Sequence, residues 1–316
     1  RKQPQRAPVL NLDEQLLVPM GGGKDSLVAW DRLDRLGRVA GTVQVGQSDL
    51  IGQVAGRTGA EHWQIHRQMD PKLAVLNELD ALNGHVPITA INAAAIIILA
   101  LLLGRGGVAF ANERSADEPT LTDDRGRSVN HQFSKSLRFE QILASWVERY
   151  IAADLKVFSI LRRDRELGIC KDFAELERFH DVFSSCNRNF HLDGPRTRRW
   201  CGRCPKCHFV FLALAPFLPP ATLTSIFGAD LLADPSQLQG FASLLALDGD
   251  KPFECVGEAE EARAAIQALG QSELWQNHAI VQALLPRLRG LTVPSLETLC
   301  RPGGPHLIPP GLFDEA

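Results

Sequence analysis

Short apolar runs alternate along this chain with longer stretches in which apolar residues recur every three or four positions. Leu16-Leu17-Val18-Pro19-Met20 is the first run, and Leu27, Val28, Trp30, Leu33 and Leu36 follow it at helical spacing. Residues 39–45 alternate, are rich in β-branched types and end at Gly46-Gln47, which reads as a second strand. Trp63-Gln64-Ile65-His66 and Val108-Ala109-Phe110-Ala111 read as a third and a fourth, and residues 156–161 as a fifth. Between them, a helix opens at Pro71, runs through Leu73, Leu76, Leu79 and Leu82, and ends at Asn83-Gly84. An apolar helix over 91–103 stops at Gly104; one through Phe139, Ile142, Trp146 and Tyr150 and one over 165–173 follow. Such alternation predicts an α/β fold, a parallel sheet covered by helices on both faces. Ligands of these sheets sit at the carboxyl ends of the strands, the edge where residues 21–26, Gly46-Gln47 and 112–115 fall.

The remainder is less regular. Residues 116–130 are acidic and aperiodic, a surface loop. Pro219-Pro220 breaks the chain, short packed helices follow, helices are expected over 258–266 and 274–288, and 302–310 should be irregular. This divides the chain into a polar lead-in (1–14), an α/β domain (15–183) and a mainly helical region that begins with a cysteine cluster (184–316). The most apolar stretch, 88–103, is too short and too flanked by turn residues for a membrane span, and predicts a buried core helix.

Composition adds bounds rather than identity. The 316 residues are 45% hydrophobic and 22% charged, ordinary for a globular chain. A net charge of −3 supplies no global basic field, so no nucleic-acid partner is expected. No signal-peptide pattern opens the chain. Of the seven cysteines, Cys201, Cys204 and Cys207 stand at two-residue gaps, with Cys186 before them. Four thiolates so spaced suit a structural zinc, with an iron–sulfur cluster or unligated thiols as alternatives. Such a site suits a reducing cytoplasm better than a disulfide scaffold does.

The sharpest chemical signal is Gly21-Gly22-Gly23-Lys24-Asp25-Ser26, between the first strand and its helix. A helix amino terminus presents unpaired N–H groups and the positive end of a dipole to a phosphate, and glycines allow an anion to come close. Ser26 adds a hydroxyl donor, Lys24 a charge, and Asp25 a carboxylate for phosphate-bound Mg²⁺. The spacing is not the G-x-x-x-x-G-K-[ST] loop. It resembles the S-G-G-x-D-S loop of enzymes that split ATP into AMP and pyrophosphate, with Gly21 in place of the first serine.

With this loop, Asn112-Glu113-Arg114-Ser115-Ala116, residues 130–136, Ser185-Cys186-Asn187-Arg188, Trp200-Cys201-Gly202, Cys204-Pro205-Lys206-Cys207 and residues 251–257, the chain resembles the MurL epimerases of bacterial peptidoglycan synthesis. The resemblance implies an adenine-nucleotide α-hydrolase-like fold. It also implies ATP-dependent inversion of the terminal glutamate of UDP-MurNAc-L-Ala-L-Glu, with AMP and pyrophosphate as products and ATP and Mg²⁺ as cofactors. Members of the family are longer at the amino end, so a domain is expected to be lacking here. Carried over, the resemblance assigns Gly21, Gly22, Gly23, Lys24, Asp25, Ser26 and Gly46 to the nucleotide, and Asp25, Glu113 and Arg114 to activation of the carboxylate. Cys255 is a candidate proton-transfer base, with Cys186, His85, Glu113 and His131 as competitors. His131, Lys135, Arg162 and Arg198, with Arg163, Arg196 and Arg199, are candidates for the UDP-linked substrate.

Three rivals share parts of the pattern. A 7-cyano-7-deazaguanine synthase-like enzyme has a similar layout, a tRNA thiolase would need a basic surface, and a non-catalytic nucleotide-binding zinc module would have no need of Asp25. The sequence leaves the oligomeric state open.

Overall fold

The computed structural model describes the chain apart from residues 1–5, 80, 82–85, 120, 191–198, 248, 250, 253 and 313–316. The amino-terminal half holds β1 (Leu16–Pro19), α1 (Lys24–Arg35), β2 (Val39–Val45), α2 (Asp49–Gly56), β3 (His62–Ile65), α3 (Lys72–Glu78), α4 (Ile88–Leu102) and β4 (Gly107–Phe110). A small hairpin, β5 (Leu121–Thr122) and β6 (Ser128–Val129), then leads to α5 (Leu137–Tyr150), β7 (Lys156–Ser159) and α6 (Glu166–Ala174). Helices follow: α7 (Pro205–Leu214), α8 (Pro220–Phe227), α9 (Leu238–Leu244), α10 (Ala259–Leu269), α11 (Ala279–Leu284) and α12 (Leu296–Cys300).

Five strands form one sheet in the order β3-β2-β1-β4-β7, every pair parallel. The pleat sends Leu16 and Val18 to one face, where they join α1, α6, α7 and α10 in a large core. Leu17, Val43, Val108 and Val157 face the other way, onto Ile96, Ile97 and Ala100 of α4 and Val147 of α5. The chain leaves β1 for β2 on one side and returns to β4 on the other. The strand order therefore reverses between β1 and β4, and a crevice opens beyond their carboxyl ends. The large core runs without a break from Leu16 to Leu312, so the sheet and the later helices share one interior.

The structure departs from the sequence pattern in several places, among them helices α2 and α12, which the pattern did not mark. Residues 116–130 are not all loop, because a turn closed on Asp123, whose carboxylate accepts the N–H groups of Arg125 and Arg127, pairs β5 with β6. The helix opened at Pro71 ends at Glu78, and Leu82, Asn83, Gly84 and His85 lie outside the described residues. Helix α4 buries only one face: it lies on the outside of the sheet, and Ile91, Ile98 and Leu102 are exposed. The expected 274–288 helix starts only at Ala279 and tightens to a 3-10 turn at Leu285–Leu288, where Pro286 has no N–H to continue it. Among the described residues no helix is long and apolar enough to cross a membrane.

Candidate active site

The glycine loop occupies the β1 end of the crevice. Met20 donates its N–H to the Val43 carbonyl at 2.8 Å, the last sheet bond before the chain turns. Gly22 has φ +81°, and a Cβ there would lie 2.5 Å from Leu50 Cδ2; one on Gly23 would lie 2.5 Å from Ser185 Oγ. Ser184 donates its N–H to the Gly22 carbonyl at 3.0 Å, so the segment before the cysteine cluster is packed directly on the loop. Gly23 is the N-cap of α1 and offers no side chain, which leaves the first-turn N–H groups to a ligand. Ser26 Oγ donates to the Gly23 carbonyl at 3.0 Å and fixes the turn.

Lys24 corrects the expectation that it reaches a phosphate. It is fully buried, and its ammonium pairs with Asp25 and with Glu166 on α6. Glu166 is itself buried and needs a cation, and the first residue of α1 is the one aimed at it. Burial alone would raise the Asp25 carboxyl, but Lys24 and Lys206 beside it hold it below the usual carboxylate range. Asp25 is thus kept ionised, the form a metal ion requires.

A cleft of about 490 Å³ extends from the loop. Gly21, Gly23, Asp25 and Ser26 line one end, Phe110 and Asn112 follow from β4, and Lys135, Ser185, Asn187, Lys206 and Cys255 close the sides. Cys255 comes from a distant segment whose docking is specific. Lys251 pairs with Glu118 and donates to the Gly257 carbonyl at 3.3 Å, and Asn187 Nδ2 donates to the Glu254 carboxylate. A Cβ on Gly257 would lie 2.4 Å from Phe209 Cζ and 2.8 Å from a Glu261 oxygen, so glycine alone permits this approach. The result places Cys255 Sγ 3.7 Å from Lys135 Nζ. Burial disfavours the Lys135 ammonium, yet Cys255, Glu113 and Asp25 around it raise its pKa. The Glu113 carboxyl is also pushed up, by burial and by Glu166 and Asp25.

Other candidates stand elsewhere. The Arg114 side chain lies against Gly303 and Gly304, where added Cβ atoms would come within 3.4 and 3.3 Å of it, and it does not line the cleft. Arg162 is buried and its guanidinium is engaged by Glu140 and by the Glu113 and Lys135 carbonyls, so it braces the cleft wall rather than facing a substrate. Gly46 ends β2 with φ +88°, its carbonyl taken by Gln44 and Gln64. His131 sits partly buried just before the 3-10 turn Phe133–Lys135. Arg163 lines a second cavity, behind α1, and Arg199 reaches the His180 carbonyl at 3.4 Å. Arg196 and Arg198 lie outside the described residues. Sequence reasoning did not single out Ser185, Asn187, Glu166 or Lys206; the first two and Lys206 lay inside motifs read for their cysteines, and Glu166 carried no signal.

The sulfurs of Cys186, Cys201, Cys204 and Cys207 all lie within 4.8 Å of one another. Three of the separations are 4.0, 3.7 and 3.4 Å, around the about 3.8 Å edge of a tetrahedron with metal–sulfur bonds of about 2.3 Å. Gly202 at φ +69° turns the chain so that the Arg203 and Cys204 N–H groups donate to Cys201 Sγ at 3.4 and 3.3 Å. Hydrogen bonds from Cys204 and Cys207 hold the Cys186 thiol down to about 3. Four converging sulfurs and N–H donors to one of them are what a soft tetrahedral cation would meet here. Since Cys186 points into this cluster, it is not paired with Cys255 across the cleft.

Two family models match the chain: a MurL N-terminal domain over residues 1–160 and a MurL C-terminal domain over residues 182–297. A protein of Xanthomonas oryzae pv. oryzae named UDP-N-acetyl-alpha-D-muramoyl-L-alanyl-L-glutamate epimerase is 45% identical over 312 residues, 98% of this chain and 69% of its own length. Proteins of the same name from Salinispora tropica and a Micromonospora strain are 42% and 40% identical, over 93% and 95% of this chain. These matches span 64% and 67% of the relatives, so the chain covers about two thirds of the length of the proteins it matches.

Proposed function

The chain belongs to the MurL family, and on that premise we propose that it is an isomerase that inverts the terminal L-glutamate of UDP-MurNAc-L-Ala-L-Glu in peptidoglycan synthesis, using ATP. A carboxylate disfavours loss of the neighbouring α-proton, because the resulting carbanion would sit beside an anion. In the proposed reaction a glutamate carboxylate oxygen attacks the α-phosphorus of ATP. The Pα–O bond to the β-phosphate breaks and pyrophosphate leaves. The mixed anhydride so formed is neutral at carbon and can delocalise a carbanion into its carbonyl. A base then removes the α-proton, a proton returns on the opposite face, and water attacks the carbonyl to release AMP.

The residues of the cleft suit these steps. The free N–H groups at the start of α1 would receive phosphate oxygens, and Asp25 would hold Mg²⁺, which neutralises phosphate charge when bound. The observation that carries the proposal is the placing of Cys255, 3.7 Å from the Lys135 ammonium, in the same cleft as the glycine loop. A thiol set beside a cation within the substrate cavity is placed to exchange a proton with a bound α-carbon. Proton transfer and adenylation would then share one cavity, as a reactive acyl-adenylate demands. Four convergent sulfurs fit a structural zinc, and the cluster braces Ser184 and Ser185 against the loop. The experiment is incubation with ATP, Mg²⁺ and the UDP-linked dipeptide, with separation of the nucleotides. AMP and pyrophosphate in step with D-glutamate formation are expected; ADP as the main product would refute the reading.

A further inference from the structure

Lys206 stands between Cys204 and Cys207 in the first turn of α7 and takes no part in the sulfur cluster. It is only 9% exposed, and it lines the cleft together with Gly21, Gly23 and Asp25. Its nearest acid is Glu166, with Nζ 3.7 Å from Oε1, beyond hydrogen-bond range, while Lys24 takes the other Glu166 oxygen. Among the described residues its ammonium donates no hydrogen bond, and the Phe209 ring lies 5.7 Å away on one side. A nearly buried ammonium with only a long contact is costly unless something completes its coordination. The other cations near the loop are committed: Lys24 is turned inward, away from the cleft, and Lys135 is against Cys255.

We propose that Lys206 is the phosphate-binding cation of the glycine loop. Its ammonium receives the β- and γ-phosphate oxygens of ATP and neutralises the charge that develops on them as the Pα–O bond breaks. This rests on the reading of the cleft as an adenylating site. Lys206 thereby gives the cysteine cluster a second effect, since the first turn of α7 carries both a cluster sulfur and the ammonium. A charge-assisted contact of this kind corresponds to a change of about tenfold to a hundredfold in affinity.

The test compares the whole chain with Lys206→Gln, using Mg²⁺ with inorganic pyrophosphate, and AMP, as calorimetric probes. Lys206→Gln should weaken pyrophosphate binding about tenfold or more and slow single-turnover pyrophosphate release, while AMP binding stays within about twofold. A merely structural role would weaken both ligands alike. Acylation of Lys206 in the unmodified protein, followed by mass spectrometry, needs no variant: pyrophosphate should protect Lys206, and AMP should not. Unchanged pyrophosphate affinity in Lys206→Gln, equal weakening of both ligands, or no protection would overturn the proposal. If the unmodified protein makes no AMP from ATP with the dipeptide substrate, the functional reading fails and this inference with it. If AMP forms but pyrophosphate ignores Lys206, only the inference fails.

Discussion

Lys24→Met should be among the most damaging single substitutions in the loop, through stability before binding. Lys24 is 0% exposed, and its ammonium serves both Asp25 and the buried Glu166. Removing one partner of a buried ion pair leaves an uncompensated charge and costs about 3–5 kcal/mol. Lys206, 3.7 Å from the second Glu166 oxygen, offsets part of this, which puts the expected loss near about 3 kcal/mol. For a chain of this size that is a fall of about 4–5 °C in the melting temperature. Burial opposes the Lys24 charge, but Asp25 and Glu166 outweigh it and raise its pKa well above the ordinary lysine value. The sign follows: the stabilisation is complete below the unfolded pKa of about 10.4 and fades only as pH climbs through the higher folded value. The loss should therefore be constant from neutral pH to about pH 10 and shrink above it. Melting followed by tryptophan fluorescence suits the purpose, because Trp30 is buried on the same helix. Lys24→Met/Glu166→Gln should be less damaged than the sum of its two single variants. A loss of under about 1 kcal/mol, or strict additivity, would refute the claim that Lys24 is spent on the interior.

Burial, with Glu166 nearby, pushes Glu261 up to about 7. Its contribution to stability is therefore full below the unfolded carboxyl value of about 4.3 and is lost as pH rises through the folded value, so the melting-temperature advantage over Glu261→Gln should decline across that range; a pH-independent difference would contradict it. Gly22→Ala forces a methyl group onto a φ of +81° and to 2.5 Å from Leu50, whereas Gly21→Ala meets nothing within 4 Å. Thermal melts should show a loss of about 1–3 kcal/mol in the first and almost none in the second. Elemental analysis should find about one zinc per chain, and Cys204→Ser should lose it and destabilise the later helices; four freely reactive thiols and no metal would contradict the cluster's role.

The sheet was legible because its signals are local. Residues 39–45 alternate and form β2 over the same span, and glycines mark the strand ends. The β5–β6 hairpin was missed because two-residue strands carry no period; its only trace was the Asp123-Asp124-Arg125-Gly126 turn. The exposed face of α4 was hidden by composition, since a helix apolar on every side gives no sign of which face meets the sheet. Within the site, the glycine loop was legible as a junction between strand and helix. The inward direction of Lys24 was not, because Glu166 stands 142 positions away. Arg162 looked like a substrate ligand for the same reason: its carboxylate, Glu140, lies on the preceding helix and meets it only after folding. Lys206 was read as spacing between cysteines, although the fold places it in the cleft.

The central claim is that one cleft adenylates the glutamate and then moves its α-proton. The most direct test is the reaction in D₂O with the UDP-linked dipeptide, with and without ATP and Mg²⁺, reading deuterium at the glutamate α-carbon. The account predicts incorporation with ATP and none without it. It also predicts that Cys255→Ala still releases pyrophosphate but no longer incorporates deuterium. Exchange that proceeds equally well without ATP would contradict the account.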